Sequence, residues 1–213
     1  MIDVLLLADL HGEYGKLDPF LDLNPDAIFI AGDLTNMGPA ESVTDILDRI
    51  DVPCFAVPGN CDPRDMIDVL EQSDCVCLHG SSINLGKISI CGIGGSNPTP
   101  FNTLFELTDK QIDDLLHKVL EKRETAIHNV LISHAPPFGL LDLANGNHVG
   151  SQSIHRHLSS FDLVCCAHIH EQRGIAMEAG VKVVNPGMAA LGNGAMIHFG
   201  NDPKEIEIKL ITV

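Results

Sequence analysis

"VLLLADLH", residues 4–11, runs from unbroken aliphatic residues straight into Asp9 and His11. An apolar run this short, with no alternation, reads as a parallel strand covered on both faces. The same form recurs as "AIFIAGD" (27–33), "CFAVPGN" (54–60), "NVLISH" (129–134) and "LVCCAH" (163–168). Between them lie amphipathic patterns that predict helices near 39–50, 63–72, 107–123 and 150–159. In the third, apolar residues at 112, 115, 116, 119 and 120 keep helical spacing, and Thr108 is a good N-cap. Strands alternating with helices make this an α/β chain.

The ends of the strands carry the chemistry. Ligands of open α/β sheets sit beyond the carboxyl ends of the strands. Here those ends are Asp9, Asp33, Asn60, His134 and His168, which are therefore expected to converge on one sheet edge. Any one of them alone reads as a turn residue or a helix cap. Two pairs say more: Asp9 and His11 straddle a single residue, and His168 and His170 alternate on an extended segment and so point the same way. All five together point to a metal.

The pool is Asp9, His11, Asp33, Asn60, His134, His168 and His170: carboxylates, imidazoles and one amide oxygen, with no obligatory thiolate. Mixed N/O ligation suits Mn, Fe, Co, Ni or Zn rather than a closed cysteine site. Seven side chains are too many for one ion and enough for two, with a carboxylate bridging. Two divalent ions outweigh the two aspartates and leave the cluster positive, able to attract a phosphate although the net charge is −16.

Composition bounds the rest. The 213 residues, 45% hydrophobic and 20% charged, fit one domain over 1–213 with an ample core. The apolar runs are too short to cross a bilayer, and the start, with Asp3 and Asp9 inside it, is no signal peptide. The seven cysteines are odd in number, with Cys75/Cys77 and Cys165/Cys166 too close to bridge, which fits reduced thiols in a cytoplasmic protein. No basic cluster exceeds Lys122-Arg123, so nonspecific nucleic-acid binding is not expected. Nothing in the composition decides between a monomer and a homo-oligomer.

The ordered blocks are Asp9-x-His11, Gly32-Asp33, Gly59-Asn60-Cys61-Asp62, Ser133-His134 and His168-x-His170. Together they resemble the calcineurin-like metallophosphoesterases, nearest to the small archaeal and bacterial branch. The Asn-Pro-Gly turn at 185–187 is similar to that family's closing segment. The resemblance implies a four-layer α/β/β/α sandwich of two mixed sheets, the second built from later strands including 87–92 and 206–213. It implies that Asp9, His11, Asp33 and His170 hold one ion, and that Asp33 bridges to a second held by Asn60, His134 and His168. The implied activity is hydrolysis of small phosphate esters, diesters favoured over monoesters, by in-line attack of a metal-bridging hydroxide. Manganese is the first expectation for the ions. The alternative is a metal-binding scaffold on the same fold without turnover.

Cys61 departs from the family, many of whose members read Gly-Asn-His-Asp with the histidine near the leaving group. A thiol of pKa about 8.5 is a weaker proton donor than an imidazole of about 6.5. Cys61 reads as a structural or substrate-shaping residue, the alternatives being catalysis or, beside two cations, ionisation and metal binding, and substrates needing little leaving-group protonation are favoured. Arg64 is a candidate phosphate contact or an ordinary exposed helix-start residue. Asp62 either orients a ligand or caps a helix beside Pro63. The loop 134–152 reads as a lid or selectivity element, with His148 a candidate proton donor or a surface histidine. The segment 92–103 reads as turn chemistry, with contact to substrate the alternative, and carries no nucleotide-fold glycine fingerprint. Ala167 stands where the family has glycine, tolerable unless φ is positive there. His79, His117, His128, His155, His157 and His198 match no motif and read as surface or packing residues.

Overall fold

The computed structural model describes residues 1–202 and 205–213. Two six-stranded mixed sheets form its centre. The first contains β1 (Ile2–Leu7), β2 (Ala27–Ala31), β3 (Cys54–Val57) and β4 (Cys75–Cys77), all parallel, and on the other side of β1 the antiparallel β13 (Asn193–Phe199) and β14 (Ile206–Thr212). The second contains β6 (Ile88–Ile93), β7 (His128–Ser133), β10 (Leu163–Cys165) and β12 (Val181–Asn185) in parallel. It is edged antiparallel by β5 (Ser81–Leu85) and β11 (Gly174–Glu178). A small hairpin, β8 (Leu143–Ala144) and β9 (Asn147–His148), stands apart from both sheets.

Three apolar layers follow from the two-residue period of a strand. Val4, Leu6 and Phe29 of the first sheet meet Ile90, Val130 and Leu163 of the second in the layer between the sheets. The intervening Leu5, Leu7 and Ile28 face outward, onto α1 (Leu17–Leu21), α2 (Thr44–Leu47) and α3 (Met66–Glu71). Leu131 and Val164 face outward from the second sheet, onto α4 (Asp109–Lys122) and α5 (Gln152–Arg156). Every central strand is therefore apolar on both faces, which is why its sequence shows no alternation. The result is the α/β/β/α sandwich.

Two expectations need correction. The segment 206–213 does not join the second sheet: β14 pairs with β13 from Ile206↔Phe199 to Thr212↔Asn193 and edges the first. A hairpin returns the chain to its own neighbour, and β13 was already committed to β1. The ligand-bearing strands also do not share one sheet edge. β1, β2 and β3 belong to the first sheet, β7 and β10 to the second, and the rim is made where the two sheets' carboxyl ends lie side by side.

Helices answer to the patterns with shifted bounds. Thr108 caps α4 in a full capping box with Gln111. The 39–50 pattern resolves into a 3₁₀ turn, Ala40–Val43, leading into α2. The 150–159 pattern becomes α5 and a 3₁₀ turn, Leu158–Ser160.

Candidate metal centre

Three of the five strand ends turn sharply before presenting their side chains. Asp9, His11, Asp33 and His168 have φ of 53°, 47°, 51° and 72°, a left-handed region costly for residues with a Cβ. The turns are held by cross-strand bonds: Asp9 N–H donates to Gly32 O at 3.0 Å and His11 N–H to Asp33 O at 2.9 Å. Such strain concentrates where a side chain must be aimed. Ala167 is not among the positive-φ residues, so its methyl is tolerated.

Asp33 is the hub. Its Oδ1 accepts the Cys61 N–H at 2.7 Å, leaving Oδ2 free, 3.6 Å from His11 Nε2 and 3.5 Å from His134 Nε2. His134 is fully buried, and its Nδ1 lies 2.8 Å from Ala31 O. A carbonyl only accepts, so Nδ1 carries the proton and the Nε2 lone pair faces the rim. Asn60 Oδ1 lies 2.9 Å from that same Nε2, while Asn60 Nδ2 donates to Thr103 Oγ1 at 3.1 Å. Two acceptors thus face each other across a gap that only a proton or a cation reconciles. On the other side, His11 Nε2 and His170 Nε2 approach to 3.2 Å, with Asp9 Oδ1 at 4.0 and 3.6 Å from them.

These donors fit metal ions. Asp9 is fully buried with no hydrogen-bond partner on either carboxylate oxygen, an expensive state without a cation. The ligand atoms of Asp9, His11 and His170 lie within 4.8 Å of one another, as do those of Asp9, Asp33 and His134. Such separations suit ligands around ions with bonds near 2.0–2.2 Å. The backbone makes room: a Cβ on Gly32 would stand 2.6 Å from His134 Nδ1, and one on Gly59 would overlap the Asp33 carboxylate.

The charges agree. Burial works to raise the Asp9 carboxyl, but His170, His134 and His11 outweigh it and hold the group below the ordinary range. The contact with Asp9, working against burial, raises the His170 imidazole. Burial, then the charge of His134, pushes His168 down to about 3, so that ring keeps its lone pair. Burial, reinforced by Asp33, pushes Asp62 up to about 6 and the Cys61 thiol far above its usual range.

A cleft of about 460 Å³ opens beside the cluster, with Asn60 and His168 at its floor. Asn97 and Phe101 stand on one wall and Asn145, Asn147 and Val149 on the other. Those walls are the segment 92–103 and the loop 134–152.

A family model described as calcineurin-like phosphoesterase matches residues 2–172 of the chain, the span that contains every one of these donors. The chain belongs to the calcineurin-like phosphoesterase family. The uncharacterized protein MJ1162 of Methanocaldococcus jannaschii is 36% identical over 196 residues, 84% of this chain and 85% of that one. Among solved structures, TT1561 of Thermus thermophilus superposes with a TM-score of 0.73 at 17% identity, covering 98% of each chain. A structure described as a novel archaeal phosphodiesterase superposes at 0.53 and 13% identity, covering 99% of this chain and 100% of that one. At those identities the structures speak for the fold. As in the family generally, divalent metal ions are implied for the rim.

Within this calcineurin-like framework, Asp9, His11, Asp33, Asn60, His134 and His170 come together. His168 meets the His134 ring edge-to-face at 5.1 Å. Arg64 points elsewhere: it donates to Glu106 O at 3.1 Å and lies over the Phe105 ring at 4.6 Å. His148 sits between two cleft residues, Asn147 and Val149, but does not itself line the cleft. Its Nδ1 instead meets Asp142 Oδ1 at 2.6 Å. Asp62 caps no helix. Its carboxylate accepts from Leu34 N–H, Gly59 N–H, Thr35 N–H and Thr35 Oγ1 at 2.7–3.1 Å, tying the loops that carry Asp33 and Asn60. Sequence reasoning missed Thr103 and Glu106. Glu106 Oε1 accepts from Thr103 Oγ1 at 2.7 Å, so the pair orients the Asn60 amide. No spacing rule links residues that meet only through a loop. The Asn-Pro-Gly turn closes over β1, with Ala189 N–H donating to Ala8 O at 2.8 Å.

Proposed function

We propose that this chain is a dinuclear metal-dependent phosphoesterase that prefers diesters with leaving groups needing little protonation. The observation that carries the reading is the free Oδ2 of Asp33, which lies at matching distances from His11 and His134. Asp9, His11, Asp33 and His170 would hold one ion; Asp33, Asn60, His134 and His168 the other. Bound there, two cations supply an activated water nucleophile and offset the charge that grows on the phosphoryl oxygens.

The chain's own part is orientation. The Ala31 carbonyl sets the His134 tautomer, the Cys61 N–H turns Asp33, and Thr103 with Glu106 turns the Asn60 amide. Asp62 keeps the two loops in register. The cleft walls offer amides and apolar surface, with Glu171 the one charged side chain and no lysine or arginine among the described lining residues. Such walls favour a singly charged diester over a dianionic monoester. They also suit an uncharged group on the far side of the phosphorus.

The test is elemental analysis of protein purified without chelator, followed by aryl mono- and diesters on wild type and His134→Ala. Two divalent ions per wild-type chain are expected, diester turnover exceeding monoester, and a loss of kcat/KM of about 100-fold or more in the variant. Equal activity in the two proteins overturns the reading. Full metal content with no turnover of either ester favours the scaffold alternative.

A further inference from the structure

Away from the rim, the contact between α4 and α5 gathers a second set of metal-type ligands. Asp113 and His117 stand one turn apart on α4, and His157 is the residue that ends α5. His157 Nε2 lies 3.2 Å from Asp113 Oδ1, and His117 Nε2 lies 3.8 Å from Asp113 Oδ2. The two imidazoles meet edge-to-face with centroids 4.8 Å apart. All three donor atoms fall within 4.8 Å of one another.

We propose that Asp113, His117 and His157 form a peripheral site for a transition-metal ion of the zinc type, which clamps α5 onto α4. Ligand atoms around a tetrahedral ion with bonds of 2.0–2.1 Å stand about 3.3 Å apart, so the measured separations need only small side-chain adjustment. Two imidazoles and one carboxylate select zinc and its neighbours over magnesium or calcium, which take oxygen. The fourth position is open to water, because the His117 side chain is 62% exposed.

One neighbour opposes the ion. Arg156 Nη2 stands 3.2 Å from the same Asp113 Oδ1 that faces His157. It has alternative partners: Ser153 Oγ at 2.6 Å and Asp109 Oδ2 at 3.4 Å. The guanidinium can therefore yield Asp113 without being left unpaired. The location gives the clamp a purpose. Asp109, at the start of α4, already accepts from Ser151 Oγ at 2.7 Å and Ser153 N–H at 3.1 Å. An ion one turn further along would continue that fastening and steady the base of the loop that forms one cleft wall. The proposal is independent of what the rim hydrolyses.

The experiment uses the full chain, stripped of metal and dialysed against micromolar zinc, with zinc per chain counted by elemental analysis in wild type, His117→Ala, His157→Gln and Arg156→Gln. Rim occupancy is common to all four. His117→Ala and His157→Gln are each expected to hold one zinc fewer than wild type, with unchanged far-ultraviolet circular dichroism. Arg156→Gln is expected to hold the same number and to retain the peripheral ion at several-fold lower free zinc, a gain that a mere hydrogen-bond cluster would not produce. Equal zinc counts in wild type and both histidine variants, or a difference seen only at millimolar zinc, overturns the proposal.

Discussion

Cys61 shows how one residue can serve through its backbone while its side chain departs from type. Its N–H aims Asp33, a duty any residue but proline could fulfil, while its Sγ lies 3.5 Å from Asn60 Nδ2. A thiol is a weaker proton donor than an imidazole near neutral pH, and turnover should therefore depend steeply on leaving-group pKa. Cys61→His is expected to flatten that dependence and raise turnover of poor leaving groups by about 10-fold or more. A plot of log kcat/KM against leaving-group pKa for both proteins checks it; parallel lines would contradict it. Asp33 was legible in the sequence as a ligand. The family resemblance also implied a bridging role for it; which oxygen is left facing the rim was not legible, because that rests on which one the Cys61 N–H occupies. Thr103 and Glu106 were illegible for a like reason: their role exists only once the loop after β6 folds back onto Asn60.

Among elements, the β8–β9 hairpin stands apart from both sheets and is fastened by polar contacts to Asp142. Asp142 is buried, accepting from Gly139 N–H and Gly150 N–H at 2.9 and 3.0 Å and holding His148. Removing that carboxylate strands the two donors and loosens the wall that carries Asn145, Asn147 and Val149. Asp142→Ala should raise KM by about 5- to 10-fold with kcat and metal content little changed. Saturation kinetics beside elemental analysis separates this from a loss of ions. Other elements were legible in proportion to their length. Helix α4 has several turns of apolar spacing and a capping box, and its pattern survives translation into structure. Helix α1, with only Leu17 and Phe20 buried in five residues, has one turn and no period to detect.

For the whole molecule, the rim joins two sheets whose shared face is otherwise mainly apolar, with polar links such as Lys182 Nζ to Ile206 O and His128 Nε2 to Gly200 O. Asp9, Asp33 and Asp62 are all buried at this junction, and like charges there repel unless cations intervene. Chelation should therefore cost stability as well as activity. Each ion present at about 100 times its dissociation constant contributes about 2.7 kcal/mol, so two independent ions contribute about 5.4 kcal/mol, which for a chain of this size is a fall in Tm of about 10–20 °C on stripping. Thermal melts before and after chelation, and again after restoring manganese, measure it. An unchanged Tm would show that the carboxylates find other partners.

What the sequence determined by itself was local. Unbroken apolar runs named the buried strands, and the residues at their ends named the candidate ligands, because burial on both faces and reversal at a strand end each leave a chemical mark within a few positions. Tertiary structure alone decided which sheet each strand entered, that β14 returned beside β13, and that donors from two sheets share one rim. Strand pairing and sheet stacking are chosen by competition among many apolar surfaces of similar chemistry, and a surface carries no label for its partner. The same holds for Asp113, His117 and His157, whose nearness exists only because α5 packs on α4.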